Sequence, residues 1–389
     1  MNRTTQKDQV VGDINSQSLR IGNRLKVSLE NDSNDGIRFQ CFNPNIYVFG
    51  ASLEDTGNMN ILGMNLEPSP FDTEICEEIG PLGRFSDGFN YIDFILDNAN
   101  KKLVNSLDTT GFSNGNTLNY SIGGAIYGGN INNPSLNLPV LGQNGYSSQI
   151  ALFENHVSKL SLNINKDDVF IYGSVGGNDL GYLSVNPSDI SNYITTHLNN
   201  IQRLYNKGCR QLIFLYIDPS SINEIPAFIK LELANPGTLS SLEGLCDLMN
   251  GFDQPTSLIN QLFNAVNDPS GTMPDLNINL VPLSTIVELF EGVPVLLGIR
   301  LTLPNDIDPR VIADPSGNDV ASFPFPTFCD ARKGFPPGSR NRNVELKNTT
   351  FYDDLHLTEV ANNIVAEIVL NHFRNWSRAS QNRLRRIPL

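Results

Sequence analysis

The stretch Val48–Asn58, "VFGASLEDTGN", sets one serine, Ser52, among small residues just after a short apolar run, Ile46–Phe49. Read alone it is either a surface serine in a strand-to-helix turn or a nucleophile. Only a base, an orienter and an oxyanion pocket elsewhere in the chain separate the two.

The pattern around this stretch decides the fold class. A first strand is expected at about Asn45–Phe49. "DDVFIYG" (Asp167–Gly173) is a second β-rich run, closed by glycine. In "PSDISNYITTHLNNIQRLYNKG", Ile190, Ile194, His197, Leu198, Ile201 and Leu204 recur at helical spacing until Gly208. "CRQLIFLYIDP" is a continuous apolar strand ended by Pro219. "PTSLINQLFNAVND" is a helix, "DLNINLVPLS" a strand and "STIVELFEG" a helix. In the last element, Thr358–Arg374, Val360, Ile364, Val365, Ile368 and Val369 share one face. Apolar strands alternating with helices indicate an α/β fold, a parallel sheet covered on both faces. In such sheets, chemistry gathers beyond the carboxyl ends of the strands. Ser52 stands there, three residues after Phe49.

The expected organisation is an N-terminal extension (1–44), a main α/β domain (45–373) and a basic tail (374–389). Two Pro-, Asn- and Gly-rich stretches, about 219–251 and 292–348, fit the alternation poorly. They read as insertions that either roof the site or decorate the surface. "ASFPFPTF" (Ala321–Phe328) would line a pocket or belong to the core.

Bulk composition narrows the partners. The 389 residues carry a formal net charge of −14, which opposes nucleic acid and anionic bilayers at long range. The exception is the tail, where Arg374, Arg378, Arg383, Arg385 and Arg386 stand without an acid. It is a solvated segment or a contact to a partner. The five cysteines (Cys41, Cys76, Cys209, Cys246 and Cys329) form no C-x-x-C pair, so no cysteine metal site is expected and reduced thiols are the simpler reading. The opening "MNRTTQKDQVVGDINSQ" has no apolar h-region, and no run reaches the length of a membrane span. The expectation is of an intracellular or non-classically released protein. Sequons at Asn31, Asn119, Asn348 and Asn375 matter only if the chain is exported.

Of four histidines, His156, His197 and His372 fall within helical patterns and read as structural. His356 differs, because "FYDDLHLTEVAN" puts it at a helix entrance with Asp353 three residues earlier. That spacing lets a carboxylate reach the imidazole within one turn. The plain alternative is an acid-rich helix N-terminus with an exposed histidine. "YGSVGGNDLGY" sets Gly176, Gly177 and Asn178 after a strand, offering close backbone approach and an amide donor. "NYSIGGAIYGG" presents Gly123 and Gly124 after another strand-like run, and it lacks the phosphate-loop pattern.

Together the four pieces resemble the SGNH (GDSL-type) hydrolase family, in the family's order, over most of Asn45–Phe373. "FGASLEDTGN", "NYSIGGA", "GGND" and "DDLH" look like its four blocks. "GRFSDGFNYIDFI" (Gly83–Ile95), "SSQIALF" (Ser147–Phe153) and "LYNKGCRQLIFLYIDP" (Leu204–Pro219) are similar to its lipase-like branch. The resemblance implies a three-layer α/β/α sandwich with a central, mostly parallel, flavodoxin-like sheet and loop insertions. It implies Ser52 as nucleophile, His356 as base and Asp353 as orienter. Oxyanion donors would be the Ser52 N–H, the Gly124 N–H and the Asn178 amide. It implies an acyl-enzyme route needing no cofactor or metal, acting on a small-molecule or polymeric ester, a lipid acyl ester or an acetylated carbohydrate. A catalytically idle SGNH-fold binding or structural protein is the alternative. Two positions depart from the pattern. Ala51 replaces the usual aspartate of G-D-S, with an expected effect on turn bonding rather than chemistry. Leu357 replaces the proline often found after the histidine.

Overall fold

The computed structural model describes residues 44–62, 82–129 (save 87 and 114), 145–286 (save 226, 229, 230, 233, 234, 268 and 269) and 356–370 (save 358 and 360). Asp353, His372, the 292–348 stretch, Ala321–Phe328, the basic tail and Cys41, Cys76 and Cys329 lie outside these, as does the N-terminal extension up to residue 43.

Among the described residues six strands form the sheet: β1 Ile46–Phe49, β2 Leu103–Asn105, β3 Thr117–Asn119, β4 Val169–Val175, β5 Gln211–Tyr216 and β6 Asn277–Pro282. Their order is β2-β3-β1-β4-β5-β6, and each neighbouring pair is parallel. The helices are α1 Asn58–Ile61, α2 Tyr91–Ala99, α3 Tyr146–Lys159, α4 Gly177–Val185, α5 Ile190–Asn206, α6 Thr238–Asn250 and α7 Leu258–Asn267. Another, α8, runs over 361–370.

Side-chain alternation along the strands builds the layers, because successive residues point to opposite faces. Tyr47, Phe49, Phe170, Tyr172, Leu212 and Phe214 enter one core with α3, α5, α6 and α7. Ile46, Val48, Val169, Ile171, Ile213 and Leu215 enter the other with α2 and α8. One face is aromatic and the other aliphatic. Phe49 stacks on Tyr120 at 5.1 Å, and Tyr172 stacks on Phe214 at 5.6 Å. The result is the expected three-layer α/β/α sandwich.

The sequence boundaries hold within a few residues for β1, β4, β5, β6 and α5. One stretch reads differently. The expected insertion at about 219–251 contains a 3₁₀ segment, Pro219–Glu224, and the whole of α6. Its Ile222, Phe228, Leu242, Cys246 and Met249 are buried in the aromatic-side core. Leu242, Leu245, Cys246 and Met249 have helical spacing, but flanking Pro and Gly obscure it.

The strand order fixes where a site can form. The chain leaves β1 toward β3 and β2 and leaves β4 toward β5 and β6. The crevice beyond the carboxyl ends of β1 and β4 is therefore the topological switch point of the sheet.

Candidate active site

The Ser52 turn is held from several sides. Gly50, the first residue after β1, donates its N–H to Gln149 Oε1 (3.0 Å), and Gln149 Nε2 returns a bond to the Gly50 carbonyl (2.8 Å). Gln149 thus anchors the end of β1 to α3. The Ala51 N–H donates to Glu54 Oε2 at 3.1 Å. Asp55 accepts N–H bonds from Gly57, Asn58 and Met59, capping α1, and one from Gly123 at 2.9 Å. Burial raises the Asp55 carboxyl to about 6, against the pull of those four donors. Asn58 Nδ2 donates to the carbonyls of Asn119 (2.9 Å) and Ser121 (3.0 Å), tying α1 to the end of β3. Asn119 is itself fully buried and hydrogen-bonded, which rules it out as a glycan acceptor in the folded chain.

His356 arrives from the other end of the sequence. Its Nε2 lies 2.7 Å from Ser52 Oγ, across 304 residues of chain. His356 is 4% exposed, and its ring packs on Phe85 with centroids 5.0 Å apart. Asn362 in α8 fixes the approach. It accepts from the Tyr91 N–H (3.2 Å) and donates to the Leu357 carbonyl (3.0 Å), joining the histidine turn to the start of α2. That start is rigid: Asn90 and Asp93 form a reciprocal capping box, and Arg84 grips Asp93 through two bonds of 3.0 and 2.7 Å. Arg84 also donates to the Thr56 carbonyl at 2.7 Å, reaching back to the serine segment.

Two turns border the serine. Gly176, at φ +92°, opens α4, and a Cβ there would fall 2.6 Å from Ile217, so glycine is required twice over. Asn178 follows in the first turn of α4, with Nδ2 donating to the Ala125 carbonyl at 3.1 Å. Asp179 accepts from the Tyr127 N–H (2.7 Å) and the Gly176 N–H (3.3 Å), binding the 123–127 turn to the start of α4. Within the former turn Gly123 has committed an N–H to Asp55, and Gly124 stands at φ +75°.

Ser52, Asn178 and His356 line one cleft. Gly124 is not on its wall but belongs to the adjoining turn, one residue before the carbonyl that Asn178 holds. The cleft encloses about 820 Å³ of atom-free space including its open mouth, and Leu215, Ile217, Ile225, Phe228, Val281 and Ile286 give it a mainly apolar wall. Ile225 and Phe228 come from the stretch expected to be an insertion, so it does border the site. Among the described residues no cluster of three or more His, Cys, Asp or Glu side chains is arranged to hold a metal.

The other described histidines lie in helices and pair with core tyrosines. His156 Nδ1 lies 3.1 Å from Tyr120 Oη, and His197 Nδ1 lies 2.7 Å from Tyr172 Oη. Cys209 and Cys246 are free buried thiols. Sequence reasoning passed over Glu54, Asp55 and Gln149. Their signal was faint: two acids just after the serine, and one amide in an otherwise ordinary helix.

Comparison with known proteins agrees with this fold. The family model described as GDSL-like lipase/acylhydrolase matches residues 46–369. Acetylajmalan esterase 2 of Rauvolfia serpentina is 30% identical over 157 residues, 35% of this chain and 41% of that protein. Acetylajmalan esterase 1 of the same plant is 28% identical over 174 residues, 39% of this chain and 42% of that protein. The matched segments span about two-fifths of the length of these relatives. The family match runs from β1 into α8 and takes in every strand of the sheet, so the chain belongs to the GDSL-like lipase/acylhydrolase family.

Proposed function

We propose that this protein is a serine hydrolase of carboxylic esters, with Ser52 as nucleophile and His356 as general base. The observation that carries the reading is the 2.7 Å approach of His356 Nε2 to Ser52 Oγ on the wall of an apolar cleft. A serine hydroxyl is a weak nucleophile until a base takes its proton. His356 Nε2 takes it as Oγ bonds to the ester carbonyl carbon. The resulting oxyanion is received by the Ser52 N–H, the Gly124 N–H and the Asn178 amide. One such donor is worth about 3–4 kcal/mol in the transition state. His356 then protonates the departing alkoxide as its C–O bond breaks, leaving an acyl-serine. Water, deprotonated by the same nitrogen, attacks that ester, and its collapse frees the carboxylic acid and restores Ser52. Asp353, outside the described residues, is assigned the role of orienting His356 and stabilising the imidazolium. For Asp353 the support is the D-x-x-H spacing and the family pattern.

The cleft wall favours an ester with an apolar body over an acetylated sugar. The curated relatives are named acetylajmalan esterases. The apolar wall can take either a longer acyl chain or an apolar alcohol. Hydrolysis of p-nitrophenyl butyrate tests the assignment. Wild type turns over. Ser52→Ala and His356→Ala each lose at least about 10³-fold in kcat/KM, with the fold retained by circular dichroism. Activity in Ser52→Ala equal to wild type would overturn it.

A further inference from the structure

We propose that Glu54 is a positioning residue for the nucleophile, a buried carboxyl that fixes the Ala51–Ser52 turn against the segment leading to Asn178. The proposal rests on the ester-hydrolase reading of the same site.

Glu54 has no exposed surface, yet it borders the cleft beside Ser52 and His356. Its carboxyl group takes three bonds from three elements. The Ala51 N–H (3.1 Å) closes the serine turn on itself. The Tyr91 hydroxyl (2.8 Å) comes from the first residue of α2. The Ser174 hydroxyl (2.5 Å) comes from β4. Ala51 supplies no side-chain group of its own to this network, being a methyl buried in the core.

The space for this carboxyl is made by two glycines far apart in sequence. A Cβ on Gly50 would lie 2.4 Å from Glu54 Oε2, and one on Gly173 would lie 2.3 Å from Oε1. No side chain fits at either position while Glu54 stays where it is. A carboxyl seated between two neighbouring parallel strands is a built slot rather than an incidental burial.

Ser174 shows what the slot accomplishes. It holds a left-handed backbone, φ +55°, which few residues other than glycine, Asn or Asp adopt without cost. It also sits where the β4–β5 register breaks, between Tyr172 and Val175. Two residues later the chain enters Gly176–Gly177–Asn178. The Glu54–Ser174 bond therefore pins the irregular end of β4, and with it the start of α4, to the turn that carries Ser52. Loss of the carboxyl would free both turns to drift relative to each other. A misplacement of about 1 Å at such a site can cost on the order of 10²-fold in rate.

The test is steady-state kinetics on Glu54→Ala, Glu54→Gln and Ser174→Ala with p-nitrophenyl butyrate, alongside the labelling rate of Ser52 by a fluorophosphonate and the thermal midpoint. Glu54→Ala is expected to lower kcat and the labelling rate together by at least about 10-fold, with KM within about 3-fold. Glu54→Gln keeps the size and a carbonyl acceptor, and should restore most of the loss. Ser174→Ala should lower kcat about 3–10-fold, and its effect should be lost in the Glu54→Ala background, since both remove one contact. A folded Glu54→Ala with wild-type kcat and labelling overturns the proposal. If Glu54→Ala fails to fold, Ser174→Ala decides: a lower kcat at unchanged KM upholds the proposal and a wild-type kcat overturns it. If wild type itself neither turns over nor labels, the hydrolase reading is what has failed, and this proposal falls with it.

Discussion

At the scale of single residues, reactivity is a matter of which polar groups are already spoken for. Gly123 has given its N–H to Asp55, and the oxyanion role is proposed for the next amide in the turn, that of Gly124. Asn178 spends one donor on the Ala125 carbonyl, and an amide has a second. Replacing Asn178 by Ala should lower kcat by about 10²–10³-fold with little change in KM, read with p-nitrophenyl butyrate. An effect confined to KM would make Asn178 a binding group instead. Glu54 carries a second prediction. Burial pushes its carboxyl from 4.5 up to about 7, against the bonds from Ser174, Tyr91 and the backbone. The folded state thus holds this proton more tightly than the unfolded chain. The stability Glu54 contributes is complete below pH 4.5 and lost as pH rises through about 7. Thermal midpoints measured from pH 5 to 8 should fall less steeply in Glu54→Gln than in wild type, and equal slopes would contradict the assignment. Ser52, Asn178 and His356 were legible in the sequence because each follows a strand or precedes a helix in a short recognisable run. Glu54 was not. Its role depends on Gly50 and Gly173, which become neighbours only when β1 pairs with β4.

At the scale of elements, the site is a set of strand ends and helix starts fastened to each other by amide side chains. Gln149 joins α3 to the end of β1, Asn58 joins α1 to β3, and Asn362 joins α8 to α2. Gln149 and Asn362 satisfy the N–H groups of Gly50 and Tyr91, which burial would otherwise orphan. Gln149→Ala leaves the Gly50 N–H without a partner, at roughly 1–3 kcal/mol, while the Gly50 carbonyl keeps the Ile122 N–H at 3.3 Å. It should lower the thermal midpoint by several degrees and reduce kcat as well, because Gly50 is two residues from Ser52. A midpoint unchanged within error would show that water or a backbone shift replaces the amide. Period-two alternation and helical spacing made most elements readable. Helix α6 was hidden because its apolar positions sit inside a stretch whose Pro and Gly content signals loop. The short strand β2, three residues long, is too brief for periodicity to mark.

At the scale of the whole molecule, one sheet order brings distant sequence to one place. Residues 52, 178 and 356 share a cleft because β1 and β4 are neighbours across the switch point and α8 packs against the aliphatic face of both. The wall of that cleft is drawn from β5, β6 and the 219–251 stretch, and it is apolar. If it receives the acyl chain, kcat/KM for p-nitrophenyl esters should rise by about 3–4-fold per added methylene from acetate upward until the wall is filled. A profile falling from acetate would assign the wall to the alcohol side instead. No helix among the described residues is long and apolar enough to cross a membrane. The central claim is that Ser52, activated by His356, forms the covalent intermediate. Its most direct test is to label wild type with a fluorophosphonate and map the adduct by mass spectrometry. The adduct is predicted on the peptide containing Ser52, stoichiometric in wild type, absent in Ser52→Ala and slowed at least about 10²-fold in His356→Ala. An adduct on another residue, or labelling that survives Ser52→Ala, would contradict the account.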